Sequence, residues 1–289
     1  TINPRLFPEQ LVFIINHAED RWIFTDVMFV PLLEAIADNI PNVEGFVIMT
    51  DEQHMPETTL KNVMCYETLI DGESSAFDWP DLDERAASAL CYTSGTTGKP
   101  KGAVLTSRNL AHDARNIIDI WEIRNTDVLC HALPLFHVHG LCFALHTSLL
   151  AGAHVLMLDQ FSPAGAIETL RRQEGPHVCS VFMAVPAMYA KLMEHMGNRK
   201  IDFSHMRLWT SGSAPLLTQD FQRLKELLGR EPVEREGMSE TGMNFSNPLR
   251  GKRKPGSIGI PLPALSVRLV DPATGANVKP GQTGEIWLK

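Results

Sequence analysis

Between Thr93 and Gly102 every residue but Pro100 is of a kind that binds an anion. Thr93, Ser94, Thr96 and Thr97 bring hydroxyl donors, Lys99 and Lys101 bring charge, and Gly95, Gly98 and Gly102 let the backbone approach closely and turn its N–H groups toward a ligand. An apolar run from Ala86 to Tyr92 leads in, and Ala103 to Thr106 leads out. The pattern is that of a phosphate cradle at the end of a strand. It is not the P-loop of the NTPases. Pro100 follows Gly98-Lys99 where a magnesium-binding Ser or Thr belongs, and only two residues separate Gly95 from Gly98. A generic phosphotransferase is disfavoured for the same reason, and no catalytic base is recognisable near the loop.

Taken whole, Leu90 to Gly102 resembles the signature loop of the adenylate-forming family, which includes acyl-CoA synthetases, peptide-synthetase adenylation domains and luciferases. The resemblance implies an AMP-forming carboxylate–CoA ligase that uses ATP, Mg2+ and coenzyme A. In that role Thr93, Ser94, Gly95, Thr96, Thr97, Gly98 and Lys101 would hold the ATP phosphates. Thr210 to Pro215 resembles the family turn that lies against adenine, which implies Ser213, Ala214 and Pro215 at the base; a strand-to-helix turn also needs small residues for packing alone. Glu236-Gly237-Met238-Ser239-Glu240 resembles the family segment Tyr-Gly-x-Thr-Glu. There Glu240 would bind magnesium together with Thr97, and Ser239 would face the α-phosphate. Glu236 departs from the pattern, since a carboxylate cannot stack on adenine as a tyrosine ring does.

Pro134 to Gly140 resembles the family's proline, aromatic, histidine, glycine turn, which implies that His137 lines the substrate channel, while His139 reads as a packed histidine. Cys130, His131, His137, His139 and Cys142 are close in sequence, but their spacings match no zinc pattern. From about Ala103 to Leu249 the chain is most similar to malonyl-CoA synthetases, whereas Ile2 to Gln10 and Asn16 to Asp20 are more similar to medium- and long-chain acyl-CoA ligases. The first likeness implies that Arg235 and Lys191 are partners for a distal carboxylate; the second implies an apolar wall and a monoacid, short- or medium-chain or the longer acid of a long- or medium-chain fatty-acyl-CoA ligase. A lysine on the helix from Pro186 to Met196 also fits a solvated surface. A non-catalytic ATP- or acyl-binding module is the alternative from another class, suggested by Glu236.

Composition narrows the partners. The chain has 289 residues, 44% of them hydrophobic, and a formal net charge of −8. That is ample for a core, and the acidic balance argues against nucleic acid as a partner. Small molecules remain: a carboxylic acid, ATP and CoA. Five scattered cysteines without a C-x-x-C pair suggest reduced thiols and a cytoplasmic location. No apolar run reaches the roughly 18 residues that span a bilayer.

The elements that must position these residues alternate. Leu11, Ile14, Ile15 and Ala18 mark one face of a helix from Pro8 to Ala18. Trp22 to Thr25 reads as a short buried strand, Val30 to Ile40 as a helix and Gly45 to Met49 as a strand. Thr50 to Asp83 reads as surface connections. Further on, helices are predicted from Ser107 to Trp121, Leu141 to Leu150 (apolar on every side), Ala164 to Arg172 behind a Ser162-Pro163 cap, Pro186 to Met196, and Leu216 to Leu228. Strands are predicted over 128–133, 154–158, 178–183 and 207–210. This rhythm predicts an α/β fold of doubly wound sheets with ligands at the carboxyl ends of the strands, and Ser266 to Val270 and Glu285 to Lys289 predict the start of a small β subdomain. The resemblance implies an incomplete large adenylating domain, with a first α/β part at 1–86, a nucleotide-binding part at 87–250 and the β subdomain from 251. A ribose-binding aspartate, a hinge and a lysine-bearing C-terminal lid would then lie outside Thr1 to Lys289.

Overall fold

The computed structural model describes residues 1–93 and 99–289, so Ser94, Gly95, Thr96, Thr97 and Gly98 lie outside the described residues. The chain forms two compact units, Thr1–Thr106 and Ser107–Lys289.

The first unit contains α1 (Pro8–His17), β1 (Trp22–Thr25), α2 (Val30–Ile36), β2 (Gly45–Ile48), β3 (Val63–Cys65), α3 (Tyr66–Ile70), β4 (Ala87–Thr93) and β5 (Lys101–Thr106). β1, β2 and β3 form a parallel sheet in that order. Leu11 and Ile15 of α1 and Val30 and Leu33 of α2 pack with Phe46 and Ile48 of the central strand. β1 is not the buried strand predicted. It is an edge strand with one covered face, so Thr25 points inward while Trp22 and Phe24, two residues apart, remain 43% and 54% exposed. The second helix also stops early, at Ile36, and passes into a single 3-10 turn, Ala37–Asn39. β4 and β5 pair antiparallel, with Thr93 opposite Lys101 and Tyr92 opposite Gly102.

The second unit runs α4 (Ser107–Trp121), β6 (Val128–His131), a wide π-type helical segment (His139–His146), α5 (Thr147–Leu150), β7 (His154–Met157), α6 (Pro163–Leu170), β8 (Val181–Ala184), α7 (Pro186–Met196), β9 (Leu208–Ser211), α8 (Thr218–Leu228), β10 (Val233–Met238), β11 (Gly242–Ser246), β12 (Ile260–Pro261), β13 (Val267–Val270) and β14 (Glu285–Leu288). One sheet has the order β12-β11-β10-β9-β8-β6-β7. It is parallel from β10 to β7, and β11 and β12 add antiparallel strands at one edge. The α/β architecture expected from the alternation is therefore present, as a mixed sheet.

Local chemistry explains several boundaries. The Ser162 side chain accepts the Gly165 N–H ahead of Pro163, which caps α6. On α4 the buried Ala114, Ile117 and Trp121 recur at helical spacing, and each large side chain so buried contributes about 2 kcal/mol. The predicted all-round apolar helix at Leu141 to Leu150 is corrected at its end: Leu149 and Leu150 face outward, 60% and 49% exposed. The hairpin β10–β11 was not predicted, because charged residues at Glu234, Arg235 and Glu236 interrupt its apolar pattern. β13 and β14 form a two-stranded antiparallel ribbon. Among the described residues no helix is long and apolar enough to cross a membrane.

Candidate active site

β9 ends at Ser211, and the chain turns through Gly212 and Ser213 before α8. A Cβ on Gly212 would fall 2.5 Å from Nε of Arg235, so the turn passes directly over that guanidinium and any side chain there would have to push it aside. Ser213 takes a positive φ of 67°, an uncommon conformation for a residue with a side chain, which clusters at functional turns. Its hydroxyl shares a 3.2 Å hydrogen bond with Nδ1 of His139 on the π-type segment. Such widened helical turns recur at functional sites.

Arg235 sits on β10, next to β9 in the sheet and beyond its last paired residues at Ser211 and Glu234. It therefore lies at the carboxyl end of the sheet. Its side chain stacks over Phe143 with the guanidinium carbon 5.0 Å from the ring centroid. Only 3% of the residue is exposed, and Nε, Nη1 and Nη2 have no hydrogen-bond partner among the described residues. Burial lowers its pKa to about 10, and the nearby carboxylates of Glu236 and Asp113 pull it the other way. Burial also drives His139 well below the usual histidine range, with Arg235 adding to the effect, so its imidazole is neutral at physiological pH.

A cleft of about 340 Å3 opens beside these groups. Ser213, Ala214, Pro215, Arg235, Glu236 and Gly237 all line it, so six of the residues singled out in the sequence share one cavity. Glu234, Gly256, Ser257 and Ile258 also line it and had not been singled out. Glu236 accepts a hydrogen bond from Asn244 Nδ2 at 3.1 Å, and Glu234 accepts one from the Gly256 N–H at 2.9 Å. The cavity thus pairs a turn of small residues, suited to a flat ring, with a buried and unsatisfied cation suited to an anion.

The other expected residues fall elsewhere. Ser239 and Glu240 occupy the turn between β10 and β11, with Glu240 exposed. His137 is exposed, its ring against Phe136 at 4.7 Å, and does not line the cleft. Lys191 is exposed on α7, outside the cleft lining. Thr93 and Lys101 form the last pair of the β4–β5 ladder in the first unit, and Thr97 is outside the described residues. No cluster of three His, Cys, Asp or Glu capable of holding a metal occurs among the described residues, which includes the Cys130 to Cys142 group. Glu240 offers magnesium a hard carboxylate oxygen; such an ion takes one or two carboxylates and fills its shell with phosphate oxygens and water, so the donor set fits.

The AMP-binding enzyme family matches the chain across residues 1–289. The chain belongs to that family. Within the AMP-binding enzymes it is 40% identical over 192 residues to the mitochondrial malonate–CoA ligase of Mus musculus, a match covering 63% of this chain and 33% of that protein. It is 34% identical over 242 residues to the 3-methylmercaptopropionyl-CoA ligase of Ruegeria lacuscaerulensis, covering 83% of this chain and 44% of that protein. Among solved structures, ATP-bound MatB from Rhodopseudomonas palustris matches the whole chain with a TM-score of 0.84 at 32% identity, over 54% of its own length. The chain spans between a third and a half of the length of these curated relatives.

Proposed function

We propose that this chain is the nucleotide- and acid-binding part of an AMP-forming carboxylate–CoA ligase whose acid carries a second carboxylate, as malonate does. The observation that carries this reading is Arg235. A buried guanidinium whose three nitrogens have no hydrogen-bond partner among the described residues costs several kcal/mol unless an anion completes it. A fatty acid would leave that cost unrelieved. The malonate–CoA ligase of Mus musculus among the relatives supports the same reading.

In this reading the acid's proximal carboxylate attacks the α-phosphorus of ATP, and the bond to pyrophosphate breaks. The CoA thiol then attacks the acyl carbon, giving up its proton, and AMP departs. Both steps ask for positioning and charge neutralisation. Ser213, Ala214 and Pro215 border the adenine, with Gly237 and Glu236 on the far side. Thr93, the segment from Ser94 to Gly98, and Lys101 hold the phosphates, and Ser239 faces the α-phosphate. Magnesium on Glu240 and Thr97, when bound, neutralises phosphate charge. Arg235 takes the distal carboxylate, with the solvent-exposed Lys191 as the lesser cation and His137 at the channel. Among the described residues no cysteine is joined in a disulfide, which suits a reducing compartment, the cytoplasm in this proposal.

The test is AMP formation on malonate against butyrate. Preference for malonate by about tenfold or more is expected, since a charge left unpaired in the site is costly. Preference for butyrate would replace this reading with the short- or medium-chain monoacid suggested by the 3-methylmercaptopropionyl-CoA ligase relative. In the same enzyme Lys101→Ala and Glu240→Gln should each cut acid-dependent ATP–pyrophosphate exchange by about 100-fold. Unchanged exchange would remove the phosphate and metal roles.

A further inference from the structure

Asp113 lies in the middle of α4, and its carboxylate turns toward the β10–β11 hairpin. Oδ1 accepts the N–H of Met243 at 2.9 Å, just past the turn that carries Ser239 and Glu240. Gly242 lies against the same carboxylate with φ 77°, and a Cβ there would come within 2.7 Å of Oδ1. On the facing strand the ladder is irregular between Glu236 and Gly237, and Gly237 is the residue opposite Met243. The carboxylate therefore pins the hairpin where its own hydrogen bonding is disturbed.

Asp113 also acts on Arg235. The aspartate charge favours the protonated guanidinium, and the guanidinium favours the ionised aspartate. Glu236 is the other carboxylate acting on Arg235, and the neutral His139 is a further titratable group that interacts with the guanidinium. Burial raises Asp113 to about 6 against the pull of the Met243 N–H and Arg235, so it is ionised at neutral pH and loses that charge in mild acid.

We propose that Asp113 is a positioning residue that fixes the hairpin tip at Met243 and tempers the charge of Arg235, so setting how tightly the cleft holds the distal carboxylate of a dicarboxylic acid. This rests on the dicarboxylate reading above. Asp113→Asn keeps an acceptor oxygen for Met243 and removes the charge; Asp113→Ala removes both.

Steady-state kinetics on malonate separate the two roles. Near pH 8, Asp113→Asn should lower KM for malonate about threefold with kcat and KM for ATP within about twofold of wild type, while Asp113→Ala should lower kcat about tenfold. At about pH 5.5 the KM advantage of Asp113→Asn should close, because the wild-type carboxyl has taken up its proton. An unchanged malonate KM in Asp113→Asn at both pH values overturns the proposal, as does identical behaviour of the two variants. If Asp113→Ala does not fold, Asp113→Asn against wild type decides alone. Wild-type enzyme that ignores malonate overturns the dicarboxylate reading and this inference with it, whereas malonate turnover with an indifferent Asp113→Asn overturns only the inference.

Discussion

Two arginines stand near opposite ends of neighbouring strands in the same sheet and are treated in opposite ways. Arg207, just before β9, donates from Nε to Asp127 Oδ1 at 2.6 Å and from Nη2 to the other carboxylate oxygen. It also donates to the carbonyls of Trp121 and Glu122, both at 3.0 Å, and so closes the end of α4. Asp127 is completed by Ser180 Oγ at 2.7 Å and the Arg124 N–H at 2.8 Å. Every strong donor and acceptor in that group is used. Arg235, at the carboxyl end of β10, has two carboxylates in electrostatic range and no hydrogen bond among the described residues. A fold that can satisfy Arg207 so fully has no general difficulty in pairing an arginine. The difference sets Arg207, fully engaged within the fold, apart from Arg235, which in the proposed function receives the acid's distal carboxylate at the end of the sheet where α/β folds bind ligands.

The sharpest break in this contrast is Arg207→Ala. It leaves Asp127 buried without its counter-charge, and should cost about 3–5 kcal/mol in urea denaturation while leaving KM for the acid unchanged in the folded fraction. Arg235→Met should behave in reverse: malonate kcat/KM falls about 100-fold, butyrate turnover is spared, and stability rises by about 1–2 kcal/mol as an unpaired buried charge is removed. A loss of stability in that variant would mean that Arg235 is as structural as Arg207. Gly212→Ala, which thrusts a methyl at Arg235, should cost about 1–2 kcal/mol by thermal melting, and most of that should return in the Gly212→Ala, Arg235→Ala double variant.

The smallest effect is in the pH dependence of stability. Burial alone would raise Asp127, but the hydrogen bonds from Arg207, Ser180 and Arg124 outweigh it and hold the carboxyl below its usual range. Its contribution is therefore present above about pH 4 and lost as pH falls through the depressed value. Asp113, raised to about 6, has the opposite sign: its contribution is present in acid below about pH 4 and lost as pH rises through 6. Urea melts of Asp113→Asn should gain about 1 kcal/mol over wild type near pH 8 and nothing near pH 4. A gain that persists in acid would contradict the assignment.

Much of the fold was legible because it is written in short periods. The helical face of Leu11, Ile14 and Ile15, the Ser162-Pro163 cap and the buried strands Gly45–Ile48 and Leu208–Ser211 are each decided within a few residues by packing and capping chemistry. Where the reading failed, the deciding partner was distant. The apolar residues of β1 predict burial, and nothing in its four residues says that it will lie at a sheet edge. The β10–β11 hairpin was missed because its apolar alternation is broken by three charged residues whose burial depends on the rest of the fold. Ser213, Ala214, Pro215 and Gly237 are singled out by the family resemblance of their segments and line the cleft, whereas Asp113 carries no local signal, its contact with Met243 lying 130 residues along the chain.

By itself, then, the sequence determined the alternation of helix and strand and, through the resemblance of Leu90 to Gly102, the family to which the chain belongs. Periodicity, glycine and hydroxyl content act at short range and need no fold to be read. Only the tertiary structure decided which of two similar arginines is left without a hydrogen-bond partner among the described residues, and that His139, already readable as a packed histidine, is buried against Ser213. The energy of a charge or a hydrogen-bonding group depends on what surrounds it in three dimensions, and that environment is assembled from segments far apart in the chain.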